Sequence, residues 1–502
     1  MTGSSPVSPG APRAPERPRE TAAAPDPRRW WALAVIATAQ LTVLLDGTIV
    51  NIALPSAQRD LGMSDGHRQW VITAYTLALG GLLLLGGRVV DIFGRKRAFV
   101  TGLLGFAAAS ALGGAATAPG VLFTARACQG AFAALLTPSA LSLLITTFTE
   151  PKERGRAFGV YGSISGIGSA AGLIAGGLLT EYLNWRWCMY VNVPIALGAV
   201  AAALWILPAG ARGTALRLDV PGAVLGCGGL TAVAYGFSEA EPRGWHSRPV
   251  LGALALGAVL LVLFVFRQTR ARLPLLPLGI VRDRRRAGAL LVTGLGQIGM
   301  FGLLLFMTYY LQGVLGYSAV AAGVAFLPLT AAMTIGVTQI AARLAPHTAP
   351  RRVIVPGLLS AALGMLLLTR IGTDSAYVSH VLPAMVLFGL GLGSAGMTAM
   401  VAATSGVLPR DSGAASAMVT TSQQIGGSLG TAVLNTVAAS AAARHLAHSS
   451  RTDALARAES TVHGFTVALW GVVGLLLLTA AAAALLIDGP APQRAERRDA
   501  VD

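Results

Sequence analysis

Two charged residues stand where charge is expensive. Asp46 lies late in an apolar run from Trp31 to Leu54, and Arg126 lies near the start of another, at 120–147. The first run has 24 residues. That is about 36 Å of helix at ~1.5 Å per residue, enough to cross a bilayer with some tilt. An ionised carboxylate at mid-membrane costs roughly 2.5–3.5 kcal/mol. Asp46 is therefore expected to face a watery cavity, find a partner or take up a proton. Arg126 cannot deprotonate, but it can favour the charged form of a nearby acid or hold a water chain. The structural alternatives are a helix-packing Asp satisfied by a neighbour and an Arg snorkelling to the outer surface.

The elements that must position this pair are membrane helices. Of the 502 residues, 54% are hydrophobic and 12% charged, against about 25% charged in soluble domains. Gly is abundant at 61, as expected where helices pack closely in lipid. Apolar runs fall at 31–54, 70–90, 98–117, 120–147, 157–180, 190–208, 220–237, 249–266, 288–312, 319–342, 353–371, 380–404, 414–438 and 463–487. The expectation is an all-α polytopic membrane protein of fourteen transmembrane helices. The Pro- and Arg-rich stretch 1–29 has no apolar core. It reads as a disordered tail rather than a signal peptide.

The net charge is +16, which in a soluble protein would suggest nucleic acid. Here the bases sit in short connections between apolar runs. With the N-terminus placed inside, 28 of the 38 basic residues fall on inside segments and nine on outside ones. That bias agrees with the positive-inside rule and puts both termini in the cytoplasm. Only two of the bases are lysines, which with the Ala and Gly richness suggests a GC-rich, bacterial genome. Cys128, Cys188 and Cys227 have no paired spacing, so neither a disulfide framework nor a zinc site is expected. No G-x4-G-K-[ST], no H-E-x-x-H and no nucleophile elbow with a plausible base occurs. The expectations are accordingly no enzyme, no cofactor, no metal and no nucleic-acid partner.

Between the second and third runs stands Gly87-Arg-Val-Val-Asp91-Ile-Phe-Gly94-Arg95-Lys96-Arg97. Gly87 and Gly94 permit tight turns. Asp91, a lone acid among four bases, can sit against a helix N-terminus. A short repeat links Pro151, Gly155 and Ala157 with Pro409, Gly413 and Ala415, at the heads of the fifth and thirteenth runs. That offset fits two six-helix halves with two helices between them. The expected division is tail 1–29, first bundle 30–208, extra helices and linker 209–286, second bundle 287–487 and tail 488–502.

The Gly87–Arg97 loop resembles the signature between helices two and three of the major facilitator superfamily. LDGTIVNIALP, from Leu45, is similar to the first-helix signature of its fourteen-helix drug:proton antiporters, the EmrB/QacA type. WVITAYTLALG from Trp70, NWRWCMYVNVP from Asn184 and YYLQGVLGYS from Tyr309 strengthen the match, which runs from Trp31 to about Ile487. The helix-four motif of that family resembles Arg126-Ala-Cys-Gln129-Gly130. Its antiporter motif matches Gly168, Gly172, Gly176 and Gly177, but Leu173 stands where the family has Pro. A proline would bend the helix; leucine would not.

The resemblance implies proton-driven export of small amphipathic compounds by alternating access, powered by the proton gradient. Asp46 would be the protonation site, tuned by Arg126. Gly87, Asp91, Gly94, Arg95, Lys96 and Arg97 would latch the cytoplasmic side, with Asp91 against the start of the thirteenth helix near Gly413. Candidate substrate contacts are Asn51, Tyr75, Gln129, Gln297, Met300, Phe301, Tyr309 and Gln423. The expected partners are a small-molecule substrate and membrane lipid, in a functional monomer of the cell membrane. A metabolite or siderophore exporter and a uniporter share every motif. A sensor without transport fits less well, because no loop offers room for an output domain.

Overall fold

The computed structural model describes residues 28–65, 67–148, 150–207, 219–271, 283–345, 347–405, 412–449 and 453–487. All regular structure among them is helical, as lipid demands, because a helix satisfies its own backbone polar groups. Residues 1–27 and 488–502 of the expected tails, all of 208–218 and 272–282, and Pro409 of the repeat lie outside the described residues.

The first group comprises α1 (Arg29–Asp60), α2 (Trp70–Phe93), α3 (Arg95–Gly114), α4 (Pro119–Thr147), α5 (Pro151–Tyr182) and α6 (Trp187–Ile206). Next come α7 (Val220–Arg243) and α8 (Arg248–Arg270). The last group comprises α9 (Arg284–Val314), α10 (Ala319–Leu344), α11 (Arg351–Leu368), α12 (Tyr377–Thr404), α13 (Ser412–His448) and α14 (Ala454–Leu486). Sequence marks many of the starts. Pro stands in the first turn of α4, α5, α7 and α8, where its missing N–H costs nothing. Asp219, Asp283 and Asp453 cap α7, α9 and α14 through their side chains.

Among the described residues, twelve helices are long and apolar enough to cross a membrane, so the fourteen expected are not all shown. The two outside that count are α2 and α5, in both of which some side chains lie outside what the structure describes.

Within the first six helices α2 and α3 pack on α4, and α1 packs on α5. Within the last six, α11 packs on α12 and α9 on α13. The pair α7–α8 lies against α2 and α13. The two groups meet where α2 crosses α13 and where α5 crosses α10.

Hydrogen bonds across the two groups gather at one end. Arg68 Nε donates to Asn435 Oδ1 at 3.2 Å, and Gln312 Nε2 donates to the Ile52 carbonyl at 3.0 Å. The Val320 amide donates to Glu181 at 2.9 Å, and Tyr309 donates to Gln58. The largest apolar cluster is continuous across the groups at this end, from Ile49 and Leu54 through Leu173 to Phe306 and Phe326. A second cluster, with Ile36, Phe99, Phe106 and Phe148, stays within the first six helices. At the opposite end the described polar contacts, such as Arg29–Glu153 at 2.7 Å and Arg286 to the Ser405 carbonyl at 3.5 Å, remain inside one group.

Candidate functional site

Asp46 sits on α1 with no solvent exposure, and Arg126 on α4 is 1% exposed. Arg126 donates from Nη1 to Asp46 Oδ2 at 2.6 Å. The pair is buried in an apolar bundle, so attraction must offset the desolvation of both ions. That requires the remaining donors and lone pairs to be met, and the neighbours meet them. Gln129 Nε2 and Asn192 Nδ2 donate to Asp46 Oδ1 at 3.0 and 2.8 Å. Arg126 Nε donates to the Val71 carbonyl at 2.9 Å, and its guanidinium lies 4.4 Å above the centre of the Tyr75 ring. Ser110 accepts from Gln129 at 2.6 Å. Five helices, α1, α2, α3, α4 and α6, thus converge on one carboxylate. Protonation of Asp46 would remove the charge that organises all of them.

Of the expected site residues, the structure joins Asp46, Tyr75, Arg126 and Gln129. Asn51 lies on the same helix as Asp46, buried, with Nδ2 donating to the Gly47 carbonyl at 2.8 Å and Oδ1 without a partner. Tyr309 belongs instead to the cross-group end, with Arg68 stacked 3.8 Å over its ring. Met300 and Phe301 pack on the large cluster, and Gln297 and Gln423 are half-buried. Among the described residues no hydrogen bond links Gln297, Met300, Phe301 or Gln423 to Asp46.

The α2–α3 loop turns at Gly94, whose φ of 88° suits glycine. Gly87 makes no close approach. Arg95 and Arg97 are exposed. Lys96 Nζ donates to the carbonyls of Leu204 at 2.9 Å and Leu207 at 2.5 Å, where the negative end of α6 favours a cation. The side chains of Asp91 and of the start of α13 near Gly413 lie outside what the structure describes.

The glycines of α5 have a clear geometric reason. A Cβ on Gly168 would come within 3.0 Å of Leu41, one on Gly172 would meet Thr48, and one on Gly176 would lie 2.8 Å from the Ile49 carbonyl. These three hold α5 against the stretch of α1 that carries Asp46. Gly177 faces the other way, and its Cβ would lie 2.7 Å from Val320 on α10. Leu173 is buried and α5 runs through it unbroken.

Two members of the cluster, Asn192 and Ser110, escape the motif-based reading of the sequence. Asn192 carries a signal, as the one amide in the apolar stretch Trp187–Ile206; Ser110 carries none. Arg68, a bordering charge by its place in the sequence, is 6% exposed and joins Asp65, Asn435 and Tyr309.

A family model described as Major Facilitator Superfamily matches residues 36–431. The chain is 59% identical over 476 residues to a puromycin resistance protein of Streptomyces alboniger, covering 94% of each. It is 40% identical to a cephamycin export protein of Amycolatopsis lactamdurans, over 82% of this chain and 85% of that one. To a tetracenomycin C resistance and export protein of Streptomyces glaucescens it is 35% identical, over 82% and 76%. The fold is similar to a crystal structure of a peptide transporter (TM-score 0.65, 15% identity, 91% of this chain and 95% of that one). It is also similar to an inward-facing bacterial homologue of the lysosomal transporter Spinster (TM-score 0.61, 17% identity, 93% and 100%). The family model, the extent of these matches and the helical bundle agree: the chain is a multi-pass membrane protein and belongs to the major facilitator superfamily.

Proposed function

We propose that this protein exports antibiotic-like amphipathic compounds from the cell in exchange for protons. Curated relatives named for antibiotic resistance and export support the first half. The coupling half rests on one observation, a fully buried Asp46 whose charge is matched by Arg126 and two amides. A coupling carboxylate must gain and lose a proton in each cycle. Protonation weakens its hold on Arg126, Gln129 and Asn192, and so loosens α4 and α6 from α1. The freed cation and amides can then be re-paired by water or substrate.

In this reading the end closed by Arg68–Asn435, Gln312–Ile52 and Glu181–Val320 is external, in keeping with the positive-inside count. The described arrangement is then the inward-open state of a rocking cycle. The finer topology belongs to the same proposal: α2 and α5 also span, giving two six-helix halves, an inserted pair and fourteen crossings, in the manner of the EmrB/QacA-type antiporters. Both termini are cytoplasmic, and one chain is the working unit. Close packing by Gly168, Gly172 and Gly176 holds α5 against the Asp46 stretch of α1 without the proline bend.

Puromycin is the first compound to test, given the 59% identical relative. Expression in a bacterial strain lacking its own pumps should raise the inhibitory concentration of puromycin several-fold. Collapse of the pH gradient should abolish that protection. Protection that survives the collapse would favour a uniporter, and no protection from any antibiotic in a broad panel would favour an endogenous metabolite.

A further inference from the structure

A cavity of about 440 Å³ lies where α2, the inserted pair α7–α8 and the last-group helices α9 and α13 meet. It shares no lining residue with the Asp46 cluster. Its walls are mostly apolar, with Leu230, Leu261, Phe264 and Leu290 prominent, and among the described residues no ionisable side chain lines it. Gly81 and Gly226 line it at close helix contacts, where a Cβ would meet Cys227 and Phe264.

Two hydroxyl residues, Thr421 and Ser422, break this lining, and the first is left without a partner. Thr421 on α13 is 8% exposed, and its Oγ1 has no hydrogen-bond partner. Other threonines of the same helix do find one: Thr431 donates to the Gly427 carbonyl at 2.7 Å and Thr436 to Ala432 at 2.8 Å. A buried hydroxyl left unpaired is costly, and an unfilled apolar void forfeits dispersion contacts along its wall. Both deficits are met by one kind of occupant. Its volume falls within the roughly 300–1,000 Å³ of small-molecule sites. Its body is apolar and uncharged, since nothing in the lining could pair a charge. It carries one acceptor oxygen.

We propose that this cavity is a ligand site, separate from the Asp46 cluster, for compact neutral molecules whose carbonyl or ether oxygen accepts from Thr421 Oγ1. The site touches helices of both six-helix groups. In the rocking cycle proposed above, on which this consequence alone rests, an occupant would hold the described arrangement and slow turnover.

Benzophenone bearing an alkyne handle is a suitable probe, being apolar, neutral, equipped with a single ketone and photoreactive. The full chain in membrane vesicles would be irradiated with it and the labelled peptides mapped. The expected result is saturable labelling near Met418 and Leu290, weakened about five-fold in affinity by Thr421→Val, the loss expected for one hydrogen bond. Ala223→Phe, which puts an aromatic ring into the cavity, should weaken it sharply. Labelling of the outward face of α8 at Val262 and Val265, which are 68% and 49% exposed, should stay unsaturable and equal in all variants. If the Phe variant fails to reach the membrane, the nearly isosteric Val variant still decides. Absence of saturable labelling on α13, or labelling indifferent to Thr421→Val, would overturn the proposal. So would displacement of the probe by a phospholipid photoprobe that labels the same peptides regardless of Thr421.

Discussion

At the scale of single residues, the Asp46–Arg126 pair behaves as one unit, because each ion is the other's compensation for leaving water. Arg126→Ala would strand a buried carboxylate. Breaking such a pair costs about 3–5 kcal/mol, so this variant should show a sharply lower melting temperature in detergent. Arg126→Lys keeps the charge but not the planar fork that serves Asp46 and the Val71 carbonyl together. It should melt closer to wild type and still transport poorly. A melting temperature for Arg126→Ala equal to wild type would mean the pair is not the anchor it looks to be. The pair is legible in sequence because a charge inside an apolar run is rare and costly. Its further partners are not. Asn192 lies 146 positions from Asp46, and only the packing of α6 against α1 makes them neighbours. The role of Arg68 is hidden for another reason: counting charges sorts residues by side of the membrane and cannot see which way a side chain faces.

At the scale of helices, glycine decides how close α5 comes to α1 and α10. Overpacking a tight contact costs about 1–3 kcal/mol. Gly172→Val, which would drive a side chain into Thr48, should reduce folded protein recovered from membranes. Gly198→Ala, where added atoms meet nothing, should not. Equal recovery of the two would remove the packing argument. The glycine spacing is readable in the sequence, but its direction is not. Spacing alone does not separate Gly176, against α1, from its neighbour Gly177, against α10. The cross-group end offers a second test. Arg68→Ala removes the bond to Asn435 and the stacking on Tyr309, so the end should open more often. A cysteine at Ile52, in a background with Cys128, Cys188 and Cys227 replaced, should then react faster with a membrane-impermeant maleimide applied outside. Unchanged reactivity would mean that Arg68 does not hold this end shut.

At the scale of the whole molecule, hydropathy and charge alone place the chain in the membrane, and the helical bundle agrees. The number of spans is less legible. Spans are read from hydropathy, and α2 and α5, helical in the structure, are not among the twelve helices long and apolar enough among the described residues. Reporters fused after Arg217 and after Arg248 should read cytoplasmic and external. The same side for both would remove α7–α8 as a pair of spans. The central claim is that one proton on Asp46 drives export. Asp46→Asn keeps the volume and can still accept from Arg126 through Oδ1, but it cannot titrate. The most direct measurement is uphill transport in inverted membrane vesicles with an imposed pH gradient, normalised to the amount of protein in the membrane. Asp46→Asn leaves the Arg126 charge uncompensated, so it is expected at reduced abundance and, per molecule in the membrane, with no accumulation against the gradient; Asp46→Glu is expected with partial accumulation. Uphill transport by Asp46→Asn at the wild-type rate would contradict the account.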